Sequence, residues 1–203
     1  MTVKLIAAHD QSMGIGFDND LLWEFGTQKA DMKRFRELTK GHAVIMGRKT
    51  YESIPDNYRP LAGRLNIVLS RDETYCSVEN SMLNAGAYYF TSLEAALEFC
   101  EGLGKKGKDV PLANRIARQA YDMSSVWLIG GASIYKEALQ KGLVDEMFLT
   151  EIRTRFNDVD AVLFQNNDFF MKSMERFPAD DSNHYPYEFC RMVKDEALIG
   201  KRD

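Results

Sequence analysis

Two glycine-interrupted strand ends carry the residue types and spacing that could hold a large anionic ligand. The apolar run Ala43-Val44-Ile45-Met46 stops at Gly47 and passes through Arg48-Lys49-Thr50 into Tyr51-Glu52-Ser53-Ile54. A second run, Val126-Trp127-Leu128-Ile129, stops at Gly130-Gly131 ahead of Ala132-Ser133-Ile134-Tyr135. There Ile134 with Ala138 and Tyr135 with Leu139 have helical spacing. A strand that ends in glycine and turns into a helix leaves backbone N–H groups free to face an anion. Neither glycine site alone is specific, but the pair suggests a nucleotide site built from two strand ends.

The elements that must position these ends alternate along the chain. Residues 3–8 read as a buried strand and His9 to Leu22 as a glycine-punctuated loop. Asp31 to Thr39 reads as a helix with Met32, Phe35 and Leu38 on one side and Thr27 as an upstream cap. Strands follow at 43–46, 66–70 and about 88–90, with a helix at 50–54. Ser92 then opens a helix whose stripe is Leu93, Ala96, Leu97 and Cys100. Residues 102–108 read as a flexible basic connector, and Leu112, Ile116, Ala117 and Ala120 as a further helix. The last strands fall at 146–152 and about 185–194. The alternation predicts an α/β sheet with helices on both faces and at least one antiparallel strand near the C-terminus.

Composition bounds the class. A chain of 203 residues that is 45% hydrophobic and 28% charged can bury one good core. A single domain over 1–203 is expected, lengthened by a loop/helix insertion at about 101–124. The net charge of −4 argues against a nucleic-acid partner, whose phosphates call for a basic face. Cys76, Cys100 and Cys190 are odd in number and have no CxxC spacing, so neither a disulfide framework nor a metal site is expected. The opening Val3-Lys4-Leu5-Ile6-Ala7-Ala8 lacks the pattern of a signal peptide, and no stretch reaches membrane-spanning length. The expectation is a cytoplasmic monomer with no membrane partner.

The ordered set of motifs resembles the dihydrofolate reductase family. The resemblance rests on Leu5-Ile6-Ala7-Ala8, Gly14-Ile15-Gly16 with Asn19 and Trp23, Asp31 with Phe35, and Val44 through Ile54. It continues through Gly63-Arg64, Ile67 to Arg71, Ile129-Gly130-Gly131-Ala132 and Leu149-Thr150, covering residue 3 to about 194. The resemblance implies an eight-stranded, mostly parallel central sheet with an antiparallel C-terminal strand and helices on both faces. It also implies reduction of 7,8-dihydrofolate to tetrahydrofolate with NADPH as cofactor.

By the same resemblance, Asp31, Thr150 and Trp23 are the catalytic residues, Asp31 being the acid of the pterin pocket with Thr150 bonded to it. A carboxylate against apolar residues has its pKa raised by desolvation. Ile6, Ala7, Met32, Phe35 and Ile54 form the apolar slot for dihydrofolate, and Arg64 takes its glutamate carboxylate. Ala8, Ile15 and Asn19 lie along the nicotinamide. Gly47, Arg48, Lys49 and Thr50 meet the phosphates, and Ser70 and Arg71 the 2′-phosphate. Ile129, Gly130, Gly131, Ala132, Ser133, Ile134 and Tyr135 complete the cofactor wall, with a cis peptide between the two glycines. A solvated surface charge is the plain alternative at Arg48 and Arg71.

The chain departs from the family pattern in three places. Seven residues, Glu24 to Ala30, separate Trp23 from Asp31 where bacterial relatives typically have four. Leu22 stands where a proline commonly precedes the tryptophan. The 101–124 stretch is longer than the compact pattern. Two other readings compete: a related-fold pyrimidine reductase of flavin synthesis, which would not need Trp23, Asp31 and Arg64, and a non-catalytic nucleotide-binding or structural module.

Overall fold

A computed structural model describes residues 1–72, 74, 86–105 and 120–195. Eight strands form one sheet in the order β5-β4-β3-β6-β1-β7-β10-β9. They are β1 (Thr2–Asp10), β3 (His42–Gly47), β4 (Leu65–Leu69), β5 (Ala87–Phe90), β6 (Asp122–Leu128), β7 (Glu146–Ile152), β9 (Phe169–Phe177) and β10 (Tyr187–Lys194). All neighbours pair in parallel except β10, which runs against both β7 and β9. A separate ribbon joins β2 (Gly14–Gly16) to β8 (Ala161–Val162).

The central strands are apolar on both sides because each side meets helices. Leu5 and Ala7 of β1, Ala43 and Ile45 of β3, and Leu65 and Ile67 of β4 pack into one cluster with α3 (Leu93–Gly104) and α4 (Ala132–Gln140). The alternate residues Ile6, Val44, Met46 and Val68 pack on the other side with Phe35 and Leu38 of α1 (Lys29–Thr39) and with Tyr51 of α2 (Arg48–Ser53). Each fully buried Leu or Ile among them stabilises the fold by about 1.5–3 kcal/mol. The period-two alternation of the strands therefore assigns the helices to opposite faces.

The stripe of α3 is buried as expected, and the Ser92 side chain caps it by accepting from Ala95 N at 3.2 Å. Three expectations need correction. First, residues 9–22 are not all loop. β1 continues through His9 and Asp10, which pair with Glu151 and Ile152, and Gly14–Gly16 is β2. The fully buried Asp10 carboxylate ties this turn down, accepting from Ser12 N and Gly14 N at 2.8 Å and Phe156 N at 3.0 Å.

Second, α1 starts at Lys29 with Gln28 as its N-cap residue, and Thr27 does not cap it. The Thr27 hydroxyl donates to the Glu24 carbonyl. The first-turn amides are satisfied from a distant loop instead: Lys29 N donates to Ser182 O and Ala30 N to Asn183 Oδ1. Third, Gly102, Leu103 and Gly104 belong to α3 and not to a connector, because Leu103 is fully buried and extends the stripe by one turn. Lys106 to Lys108, Leu112, Ile116, Ala117, Cys76 and most of the 101–124 insertion lie outside the described residues.

Candidate active site

The two glycine-ended strands are neighbours. β3 and β6 pair with Ile45 opposite Leu128. Beyond their ends Ile129 N donates to Ile45 O at 2.9 Å and Gly47 N to Gly130 O at 2.8 Å. This places the starts of α2 and α4 at the carboxyl edge of the parallel sheet, the edge at which open α/β sheets bind ligands. Neither helix start is capped by a side chain: the N-cap residues are Gly47 and Gly131. Their first amides are therefore available to an anion.

A cleft of about 1970 Å³ runs along this edge and is lined by every residue expected to touch substrate or cofactor. At one end it reaches Ile6, Ala7 and Ala8 at the close of β1, Met32 and Phe35 on α1, and Ile54 after α2. At the other it reaches Ser70 and Arg71 after β4. Asp31 lines the cleft, whereas Thr150 and Trp23 do not. Thr150 is buried behind the cleft on β7, level with Ala8. Trp23 is packed with Ile152 and Tyr187, its ring 6.3 Å from that of Phe156.

Asp31 sits in the first turn of α1. Burial is the dominant influence on its carboxyl and pushes its pKa up. A hydrogen bond from Thr150 and the charge of Arg34 pull the other way. The acid is thus held above the ordinary carboxylate range by its surroundings and restrained by two specific partners. Tyr135 closes the pocket from the opposite face of the sheet, its hydroxyl donating to the Ile6 carbonyl at 2.7 Å.

The backbone supplies the cradle. Gly130 has φ +127, which L side chains rarely adopt, and a Cβ there would stand 3.4 Å from both Thr50 Cγ2 and the Tyr135 hydroxyl. The Gly130-Gly131 peptide is cis, as the resemblance implied. Asn19 adopts φ 64 in the turn that bridges Phe17 to Asp20, a conformation asparagine tolerates better than most residues.

The charged residues divide into two groups. Around the β4 end stand Arg48, Lys49 and Arg71, with Arg48 donating to both carboxylate oxygens of Glu52 at 2.8 Å. Around the α1 end stand Arg36, Lys40 and Arg64. Arg64 stacks 5.6 Å from the centre of the Phe35 ring and donates to Ala62 O and Thr39 Oγ1. Burial and, after it, the nearby Arg36 charge both disfavour its protonated form, so an anion there would relieve it.

Two aromatic residues on the cleft wall and one arginine behind it carry no local sequence role in the expectations above. Phe25 and Tyr58 stand over half exposed on the cleft wall with ring centroids 6.3 Å apart, and nothing local in the sequence pairs them. Arg34 touches the Asp31–Thr150 pair from behind. Its signal was present: it lies three residues after Asp31, where side chains of one helix meet.

Comparison with known proteins agrees with this architecture. The sequence profile of the dihydrofolate reductase family matches residues 2–194. The dihydrofolate reductase of Aedes albopictus is 33% identical over 197 residues, covering 92% of this chain and 94% of that protein. That of Heliothis virescens is 35% identical over 185 residues and 88% of each. An Enterococcus faecalis dihydrofolate reductase solved with NADP(H) shares the fold, with a TM-score of 0.69 over 96% of this chain and 97% of that one at 21% identity. The match of profile, relatives and sheet spans nearly the whole chain, and it establishes that the chain belongs to the dihydrofolate reductase family.

Proposed function

We propose that this chain reduces 7,8-dihydrofolate to 5,6,7,8-tetrahydrofolate, with hydride added at C6 and a proton at N5. One observation carries this reading. A half-buried acid, Asp31, faces the apolar end of a cleft whose other end is a glycine cradle with free helix amides. NADPH, when bound, supplies the hydride.

The residues present fit that cofactor. The Gly130 cradle leaves room that a Cβ would fill, and the uncapped starts of α2 and α4 offer amides to a diphosphate. Ser70, Arg71 and Arg48 offer donors and charge to a 2′-phosphate. Ala8, Ile15 and Asn19 would lie along the nicotinamide. Ile6, Ala7, Met32, Phe35 and Ile54 would grip the flat pterin and benzoyl rings and exclude water, and Arg64 would pair with the glutamate carboxylate.

Asp31 would accept hydrogen bonds from N3 and the 2-amino group of the pterin. The ring is thereby fixed in the tautomer that takes a proton at N5. A carboxyl whose pKa is raised by burial changes charge closer to working pH, as a group governing proton delivery must. Thr150 would hold Asp31 from behind, and Trp23 would brace the strand ends beside it.

We read the chain as one domain over residues 1–203 acting as a monomer in the cytoplasm. No described helix is long and apolar enough to cross a membrane. No described group of His, Cys, Asp or Glu could hold a metal. The test is to mix purified protein with NADPH and dihydrofolate and follow NADPH absorbance, omitting each reagent in turn. Loss of absorbance only with both present supports the reading, and none under any condition overturns it.

A further inference from the structure

Arg34 is placed unusually for a cation. Its Nη1 donates to Leu149 O at 2.9 Å and to Thr150 Oγ1 at 3.2 Å, and its Nη2 to Cys190 O at 3.3 Å. The guanidinium lies 4.4 Å from the centre of the Phe189 ring and 5.9 Å from that of Phe148. It thus reaches from α1 onto the middle of β7 and β10. Among the described residues it makes no ion pair with a carboxylate, unlike Arg153 just after β7, Arg176 on β9 and Arg191 on β10.

We propose that Arg34 is a positioning residue for the acid: its guanidinium fixes the Thr150 hydroxyl as a donor to Asp31 and supplies the counter-charge behind that carboxylate. This rests on the reading of Asp31 as the acid of the reaction.

The first half follows from counting hydrogens. A threonine hydroxyl has a single proton. Because Thr150 Oγ1 accepts from Arg34, that proton is left for another acceptor, and Asp31, one helical turn before Arg34 on α1, is the carboxylate it serves. Without Arg34 the hydroxyl is free to rotate and accept instead. The second half follows from what else is charged nearby. Asp31 is the leading charge acting on Arg34, followed by Cys190 and then Glu175. Burial raises the Cys190 thiol, leaving it neutral at ordinary pH, and Glu175 on β9 is exposed and screened by water.

From the Asp31 side the facing groups are Thr150 on β7, Arg34 on α1 and Tyr135 on α4. Burial drives the Tyr135 phenol well above its ordinary range, so it stays neutral. Among the described residues, Arg34 is therefore the one fixed charge of the groups facing the carboxylate. Burial pushes the Asp31 carboxyl up, and the Arg34 charge, with the Thr150 hydrogen bond, pulls it back down.

The test is a 13C-aspartate NMR titration of the ligand-free protein, with the Asp31 resonance assigned by its absence in Asp31→Asn. Arg34→Met and Thr150→Val should each raise the Asp31 midpoint by on the order of one pH unit, about a tenfold change in its ionisation constant. Arg34→Lys should fall between wild type and Arg34→Met, since it keeps the charge and loses the fork. The fall of kcat/KM for dihydrofolate with rising pH should move to higher pH in Arg34→Met. An unchanged midpoint in either folded variant overturns the proposal, and if Arg34→Met does not fold, Thr150→Val and Arg34→Lys decide it. The midpoint is read without turnover, so the two failures are distinguishable: no dihydrofolate reduction by wild type overturns the functional reading, and an unchanged midpoint with reduction intact overturns this proposal alone.

Discussion

The two ends of the cleft are built differently. At the end proposed for the cofactor, the cleft is lined by runs of contiguous chain, Gly47 to Thr50 and Ile129 to Tyr135, which offer backbone amides and cations. At the end proposed for the substrate, one carboxyl from α1 is set by side chains from β7 and α4 and by Arg34 of its own helix. A backbone site works wherever its local conformation forms. A buried acid works only at the ionisation that distant neighbours impose.

Four substitutions and one pH series would break or sharpen this contrast. The largest effect belongs to the acid: Asp31→Asn should fold and bind NADPH but lose dihydrofolate reduction by at least about a hundredfold at neutral pH, and less at low pH. Steady-state kinetics across pH measure it. Near-normal turnover at neutral pH would remove the asymmetry between the ends.

Gly130→Ala comes next, because it forces a side chain into φ +127 against Thr50 and the Tyr135 hydroxyl. A strained residue costs on the order of 1–3 kcal/mol, so NADPH binding should weaken about ten- to a hundredfold. Fluorescence titration would show it, and dihydrofolate affinity of the free protein should change far less. Equal losses for both ligands would mean that the two ends are not independent.

Arg64→Leu removes a charge-assisted pair of roughly 1.5–3 kcal/mol, about ten- to a hundredfold in affinity. Dihydrofolate should lose that affinity while a pterin lacking the glutamate tail binds as before. Arg71→Ala should act at the opposite end and more weakly, since Arg48 and Lys49 also line the cleft there and would share a bound anion. The ratio of NADPH to NADH dissociation constants should narrow by about tenfold, and an unchanged ratio would make Arg71 a surface charge.

The smallest effect is on stability. The folded state raises the Asp31 pKa, so it favours the protonated carboxyl. The contribution is present at pH below about 4, the unfolded value, and is lost as pH rises through the folded one. Asp31→Asn removes this dependence. Its melting temperature should therefore exceed that of wild type at neutral pH, with the gap shrinking as pH falls toward 4. A gap of constant size would mean that the carboxyl is not desolvated.

Local pattern was enough for the glycine-ended strands, the Ser92 cap with its Leu93, Ala96, Leu97, Cys100 stripe, and the pairing of Ile134 and Tyr135 with Ala138 and Leu139. In each the deciding forces act between residues a few positions apart: side-chain capping, helical periodicity, and an apolar run ended by glycine. The identity of the residues at 31, 64 and 71 also stood in the sequence, together with the order that ties them to a known family.

Only the tertiary structure decided where α1 begins, because its first amides are satisfied by Ser182 and Asn183, more than a hundred residues away. It also decided that β1 runs on to Asp10, since β7 supplies the partner, and that Phe169–Phe177 is a strand, since its exposed residues carry no apolar alternation and β10 alone holds it. Arg34 makes the same point within the site. Its place on the helix follows from sequence, but its bond to Thr150 and its charge on Asp31 exist only once β7 and β10 close around it, because hydrogen bonding and desolvation depend on what surrounds a group in space and not on its neighbours along the chain.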